Sequence, residues 1–133
     1  MILLDTSALI ALSDRRDRNH KRAVEFFREA VRKTRFVLPK HVLVEYIDGV
    51  TKRIGKEKAV EELENILNSK LIILEFEKKK DWEKAIEYFK KYNDKKIDLT
   101  DCLSFAIMER LKLREVFTFD NDFRIHGFKT VPD

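Results

Sequence analysis

Four carboxylates stand where apolar runs end or helices begin. Asp5 follows Ile2-Leu3-Leu4, Glu45 lies within residues 42–47, Asp101 within 97–103, and Asp120 follows Val116-Phe117-Thr118-Phe119. Each has an ordinary structural explanation. Asp5 suits the N-cap of a following helix, and Asp120 suits a turn. Glu45 has mostly polar helical neighbours (His41, Asp48, Gly49 and Lys52), as a solvated face does. Asp98 and Asp101 have the spacing of a capping box. Taken together the four point to a different chemistry. Clustered carboxylates repel one another and resist full ionisation unless a cation neutralises them. All-oxygen ligands favour Mg²⁺ or Mn²⁺. Such an ion suits phosphodiester hydrolysis, because it activates water and steadies charge on the phosphorane-like transition state. No His-x-x-x-His helix and only one cysteine, Cys102, are present, so a soft-metal site is excluded.

Other chemistries lack their residues. The turn after the first strand reads Asp5-Thr6-Ser7, without the glycines of a dinucleotide or phosphate loop. No Gly-x-Ser-x-Gly elbow occurs. A receiver-type phosphoacceptor wants its aspartate after the third strand, where Glu75-Phe76-Glu77 stands. A haloacid-dehalogenase-like phosphatase needs a second aspartate two residues after Asp5, where Ser7 stands.

The elements that must position these acids follow from periodicity. Apolar runs at 2–4, 36–38, 71–74, 116–119 and 128–131 predict strands. Helix-period segments at 8–12, 20–33, 39–54, 56–68, 81–92 and 99–113 separate them. Pro39 suits a helix opening and Gly55 its end. Strands apolar on both faces, alternating with helices, imply an α/β fold with a central parallel sheet covered on both sides. Ligands of such sheets bind outside the carboxyl ends of the strands. Asp5 and Asp120 fall at that edge. The helix bearing Glu45 starts there too, which puts Glu45 ~7–8 Å along its axis from the edge. The helix bearing Asp101 runs antiparallel to the strand that follows it, so its first turn also lies at that edge. The apolar neighbours of Asp101, among them Leu99, Leu103 and Phe105, give it a setting in which a carboxylate wants a partner.

The chain has 133 residues with a formal net charge of +4 and is 44% hydrophobic and 39% charged. One domain over residues 1–133 with a charged surface is expected. The lone cysteine fits a reducing compartment, and neither a signal peptide nor a membrane-length apolar run is visible, so a cytoplasmic protein is expected. The positive charge is uneven. Residues 1–55 hold 12 Lys/Arg against 7 Asp/Glu, and residues 56–133 hold 16 against 17. The basic excess gathers at Arg15, Arg16, Arg18, Lys21 and Arg22, which either meet the backbone phosphates of a polyanionic partner or form a solvated helix junction beside Asp14 and Asp17. Trp82, Tyr88 and Tyr92 are placed in a core or interface in preference to a base-stacking platform.

The ordered set Leu3-Leu4-Asp5-Thr6-Ser7, Leu43-Val44-Glu45, residues 99–105 (LTDCLSF) and residues 117–123 (FTFDNDF), with Gly127-Phe128 after it, resembles the PIN-domain family. Within that family it is similar to the small single-domain VapC-type toxins of toxin–antitoxin pairs. The resemblance spans nearly the whole chain. It implies a three-layer α/β/α fold with four to five strands and a Mg²⁺- or Mn²⁺-dependent endoribonuclease. The family's acidic quartet falls on Asp5, Glu45, Asp101 and Asp120. Asp5, Asp101 and Asp120 are then metal ligands, direct or through water, and Glu45 positions the attacking water or binds a second ion. Ser7 is the implied hydroxyl donor beside the first aspartate, and Asp122 a substitute for Asp120 or a holder of a ligand's water. The resemblance further implies an RNA substrate, a homodimer and a cognate antitoxin. The alternative is a non-catalytic RNA- or protein-binding module on the same scaffold.

Overall fold

The computed structural model describes residues 1–133. The chain runs β1 (Ile2–Leu4), α1 (Thr6–Ser13), α2 (His20–Ala30), β2 (Phe36–Pro39), α3 (Lys40–Arg53) and α4 (Lys56–Asn68). It continues through β3 (Ile72–Glu75), α5 (Lys79–Lys91), α6 (Leu99–Leu111), β4 (Glu115–Phe117), α7 (Asp122–His126) and β5 (Lys129–Val131). The strands form one sheet in the order β3-β2-β1-β4-β5, and every pair is parallel.

Side chains of successive strand residues point to opposite faces, and the sheet separates two cores accordingly. Ile2, Leu4, Phe36, Leu38 and Phe117 pack on one face against Ala8 and Leu9 of α1, Ala23 of α2, Val42, Leu43 and Tyr46 of α3, and Ala59 of α4. Leu3 and Val116 pack on the other against Ala85 of α5, residues of α6 and Phe123 of α7. The result is the three-layer α/β/α arrangement, with α1–α4 on one side and α5–α7 on the other. Helix α6 is buried over its whole middle, Cys102 to Met108, because it lies between the sheet and α5.

Several boundaries differ from the sequence expectation. Helix α1 begins at Thr6 and not at Ala8, so Asp5 takes the N-cap position, but its side chain makes no capping bond. Helix α2 stops at Ala30 instead of Lys33, and α6 at Leu111 instead of Leu113, where Lys112 turns left-handed at φ 59°. Strand β4 ends at Phe117, and the chain then bends through Asp120 into α7, a helix the sequence reading did not anticipate. Five residues are too short to show a helical period.

Candidate active site

In the sheet order, β1 and β4 are neighbours, yet the chain leaves β1 toward β2 and β3 on one side and β4 toward β5 on the other. The crevice that such a reversal leaves at the carboxyl edge is where ligands of open α/β sheets bind. Leu4 pairs with Phe117 in register, and the Asp5 N–H donates to the Phe117 carbonyl at 3.1 Å. Asp5 and Asp120 therefore flank this crevice. Asp101 enters from the first turn of α6, Asp122 from the start of α7 and Glu45 from the second turn of α3.

Carboxylate oxygens of Asp101, Asp120 and Asp122 all lie within 4.8 Å of one another. Asp5 sits behind them, 6% exposed. Its carboxyl is pushed up to about 6, chiefly by burial, with repulsion from Asp120 and Glu45 adding to it and the Thr118 hydroxyl opposing it. Asp101 is held well above the usual carboxylate range, first by burial and then by the charge of Asp5, a hydrogen bond with Asp122 and the charge of Asp120. Carboxylates this close resist full ionisation unless a proton or a cation neutralises them. An oxygen-only set, three of its carboxylates within reach of one ion and two more acids adjoining, fits a hard divalent cation.

Hydroxyls set the orientation of the acids. Thr118 Oγ1 donates to Asp5 Oδ2 at 2.8 Å and accepts the Asp120 N–H at 3.0 Å. Ser7 Oγ accepts the Phe119 N–H at 2.9 Å and lies 3.0 Å from Thr118 Oγ1, but 3.4 Å from Asp5 Oδ2. Ser7 is thus present at the site as expected, while the closer donor to Asp5 is Thr118, which the sequence reading passed over. Its one local signal was a threonine in an otherwise apolar strand, two residues before Asp120. Thr6 Oγ1 donates to Glu45 Oε1 at 2.6 Å and so ties α1 to α3. Glu45 stays exposed and outside the tight group, whereas Asp122 belongs to it. The capping box of Asp98 and Asp101 does not form: Asp98 makes no side-chain cap bond, and Asp101 turns to the other acids.

The basic residues Arg15, Arg16, Arg18, Lys21 and Arg22 are all exposed, on the α1–α2 connection and the first turn of α2. Arg16 leans on Asp14 at 3.9 Å. Arg22 lies over the Phe119 ring, 5.6 Å from its centre, next to Asp120 in the chain. No helix is long and apolar enough to cross a membrane.

The family model described as the PIN domain matches residues 2–129. The chain is similar to the 23S rRNA-specific endonuclease VapC20 of Mycobacterium tuberculosis, 27% identical over 135 residues and covering 98% of each protein. It is also similar to a VapC ribonuclease of Aquifex aeolicus, 28% identical over 134 residues, covering 98% of this chain and 96% of the other. The crystal structure of VapC20, described as a sarcin-ricin loop cleaving toxin, matches with a TM-score of 0.86 at 26% identity over 96% of each chain. FitAcB from Neisseria gonorrhoeae shares the fold at 19% identity, with a TM-score of 0.70 over 99% of this chain and 97% of the other.

Proposed function

The chain belongs to the PIN-domain family, and from that premise we propose that it is an endoribonuclease that hydrolyses RNA phosphodiester bonds with Mg²⁺ or Mn²⁺, the toxin of a type II toxin–antitoxin pair. The observation that carries this is the convergence of Asp5, Glu45, Asp101 and the pair Asp120 and Asp122, from four separate segments, on the crevice between β1 and β4. The names of the two relatives, an endonuclease and a ribonuclease, support it.

Asp101, Asp120 and Asp122 would hold the ion, with Asp5 as a further ligand, directly or through water. When bound, the ion supplies Lewis acidity to the phosphate and lowers the pKa of water. The remaining tasks fall to the chain. Glu45, fixed by Thr6 Oγ1, orients the attacking water and takes its proton on the carboxylate. Thr118 keeps the Asp5 carboxylate turned toward the cluster. Arg22 and its basic neighbours attract backbone phosphates. The products are a 5′-phosphate and a 3′-hydroxyl. Residues 1–133 act as one domain in the cytoplasm, paired with a second copy. A toxin of this activity requires a cognate antitoxin to restrain it.

End-labelled RNA incubated with Mn²⁺ tests the proposal. Wild type is expected to cleave, and chelation to stop it until metal is restored. Asp101→Asn should lose at least ~100-fold, since even residues that only orient metal ligands are worth 10–100-fold. Equal cleavage by wild type and Asp101→Asn would mean a contaminating nuclease and would sink the site assignment.

A further inference from the structure

His41 stands in the first turn of α3, four residues before Glu45, so the two share one face of that helix a turn apart. The sequence alone places His41 on a solvated face, but its ring is half-buried and turned toward α6. His41 Nε2 lies 3.1 Å from the Thr100 carbonyl and 2.9 Å from the Ser104 hydroxyl. Thr100 precedes Asp101, and Ser104 follows it by three residues on the same helix face. One ring nitrogen therefore joins the turn before Glu45 to the turn that carries Asp101.

Helices α3 and α6 lie on opposite faces of the sheet. Their first turns meet only past its carboxyl edge, and the His41 bond crosses there. No other hydrogen bond or ion pair joins the two helices. Thr6 Oγ1 holds Glu45 to α1, which is in its own layer, so the tie to the far layer is His41. It holds in either tautomer: Nε2–H donates to the Thr100 carbonyl, or a bare Nε2 accepts from the Ser104 hydroxyl. Nδ1 has no partner, so the ring is held through Nε2 alone. Ser104 is 1% exposed within an apolar stretch of α6, and this ring is the partner its buried hydroxyl requires.

Building on the endoribonuclease reading, we propose that His41 is a positioning residue for that reaction: it sets the span across the crevice between Glu45 and Asp101. Asp101 belongs to the acids suited to an ion, and Glu45 orients the water. The span between them therefore fixes where the water stands relative to the scissile phosphate. Attack is steep in distance, and a misplacement of ~1 Å can cost about 10²-fold in rate. His41 itself touches neither water nor phosphate in this role. A residue that only stabilised the fold could be replaced by any side chain that packs as well, whereas a strut depends on its reach.

Three variants separate reach from packing. Gln can place its amide where Nε2 stands, Asn carries the same amide one bond shorter, and Leu has none. In cleavage of end-labelled RNA with Mn²⁺, His41→Leu and His41→Asn should each lose about tenfold in kcat, with KM and Mn²⁺ affinity unchanged. His41→Gln should stay within about twofold of wild type. Should His41→Leu fail to fold, the Asn and Gln pair decides the question alone. Spin labels read the span without metal or RNA. Cys102 is buried, so labels go to Asp48→Cys on α3 and Asp98→Cys at the start of α6, both exposed positions. Their distance distribution should broaden in His41→Asn and stay narrow in His41→Gln. Full kcat in His41→Asn, or a Gln variant no better than the Asn variant, overturns the role and leaves the nuclease reading standing. So does a native distance distribution in His41→Asn. A wild type that cuts no RNA removes the nuclease reading, and the positioning role with it.

Discussion

Thr118 and Thr6 show how much of the site rests on neutral groups. Thr118 is 2% exposed and supplies the close donor to a buried carboxyl. Thr118→Val keeps the shape and removes the donor, which should cost about 1–3 kcal/mol of stability in urea unfolding, with Thr118→Ser close to wild type. Thr6→Val frees Glu45 without touching the other acids. We expect kcat to fall about tenfold with KM unchanged, and Thr6→Ser to restore it. Asp101→Asn, measured without metal, should destabilise by no more than ~1 kcal/mol, because the neutral amide replaces a carboxyl whose ionisation its neighbours already oppose. A large drop in melting temperature would instead return Asp101 to a capping role. The acids themselves were legible because a strand end or a helix start is a local pattern. Their hydroxyl partners were not, since Thr118 and Asp5 lie 113 positions apart and neither signals the other.

Among the elements, α6 is anchored by one guanidinium. Arg110 Nε lies 3.0 Å from both oxygens of Asp81 on α5, and its Nη2 lies 3.0 Å from Glu75 at the end of β3. Asp81 is 3% exposed, so Arg110→Met strands a buried carboxylate and should cost about 3–5 kcal/mol. Asp81→Leu in the same chain should recover part of that loss, as a double-mutant cycle would show. Helix α7 is fastened by His126, which stacks on Phe105 and accepts from the Tyr92 hydroxyl at 2.6 Å. Burial lowers its pKa, while the charge of Glu109 on α6 opposes that and Lys91 on α5 reinforces it. The unfolded chain therefore takes up this proton first, near pH 6.5. Stability from His126 is present above that pH and is lost as pH falls through it toward the folded value. Thermal melts of wild type should show this slope, and His126→Phe should flatten it. Neither fastening was visible in the sequence, where Arg110 and His126 look like surface residues; α7 itself was too short to be seen.

At the scale of the molecule, the class of fold was legible and the strand order was not. Short apolar runs between helix-period segments mean a covered parallel sheet, but nothing in them says that β1 sits between β2 and β4. That placement gives one three-residue strand a side chain in each core, Leu4 on one face and Leu3 on the other. It also ties the proposed cation site to the whole fold. Mn²⁺ at ~100 times its Kd should stabilise wild type by ~2.7 kcal/mol against thermal unfolding, and Asp101→Asn by much less. The pairing of β1 with β4 has a consequence in time. Asp5 is made first of the pair, and Thr118 follows 113 positions later. At ~5–20 residues per second, that interval lasts roughly 6–23 s. Throughout it the nascent chain has no crevice, because the strand that forms its second wall has not been made. The two walls of the crevice therefore cannot meet until β4 has been made, and fragments ending before β4 should cut nothing.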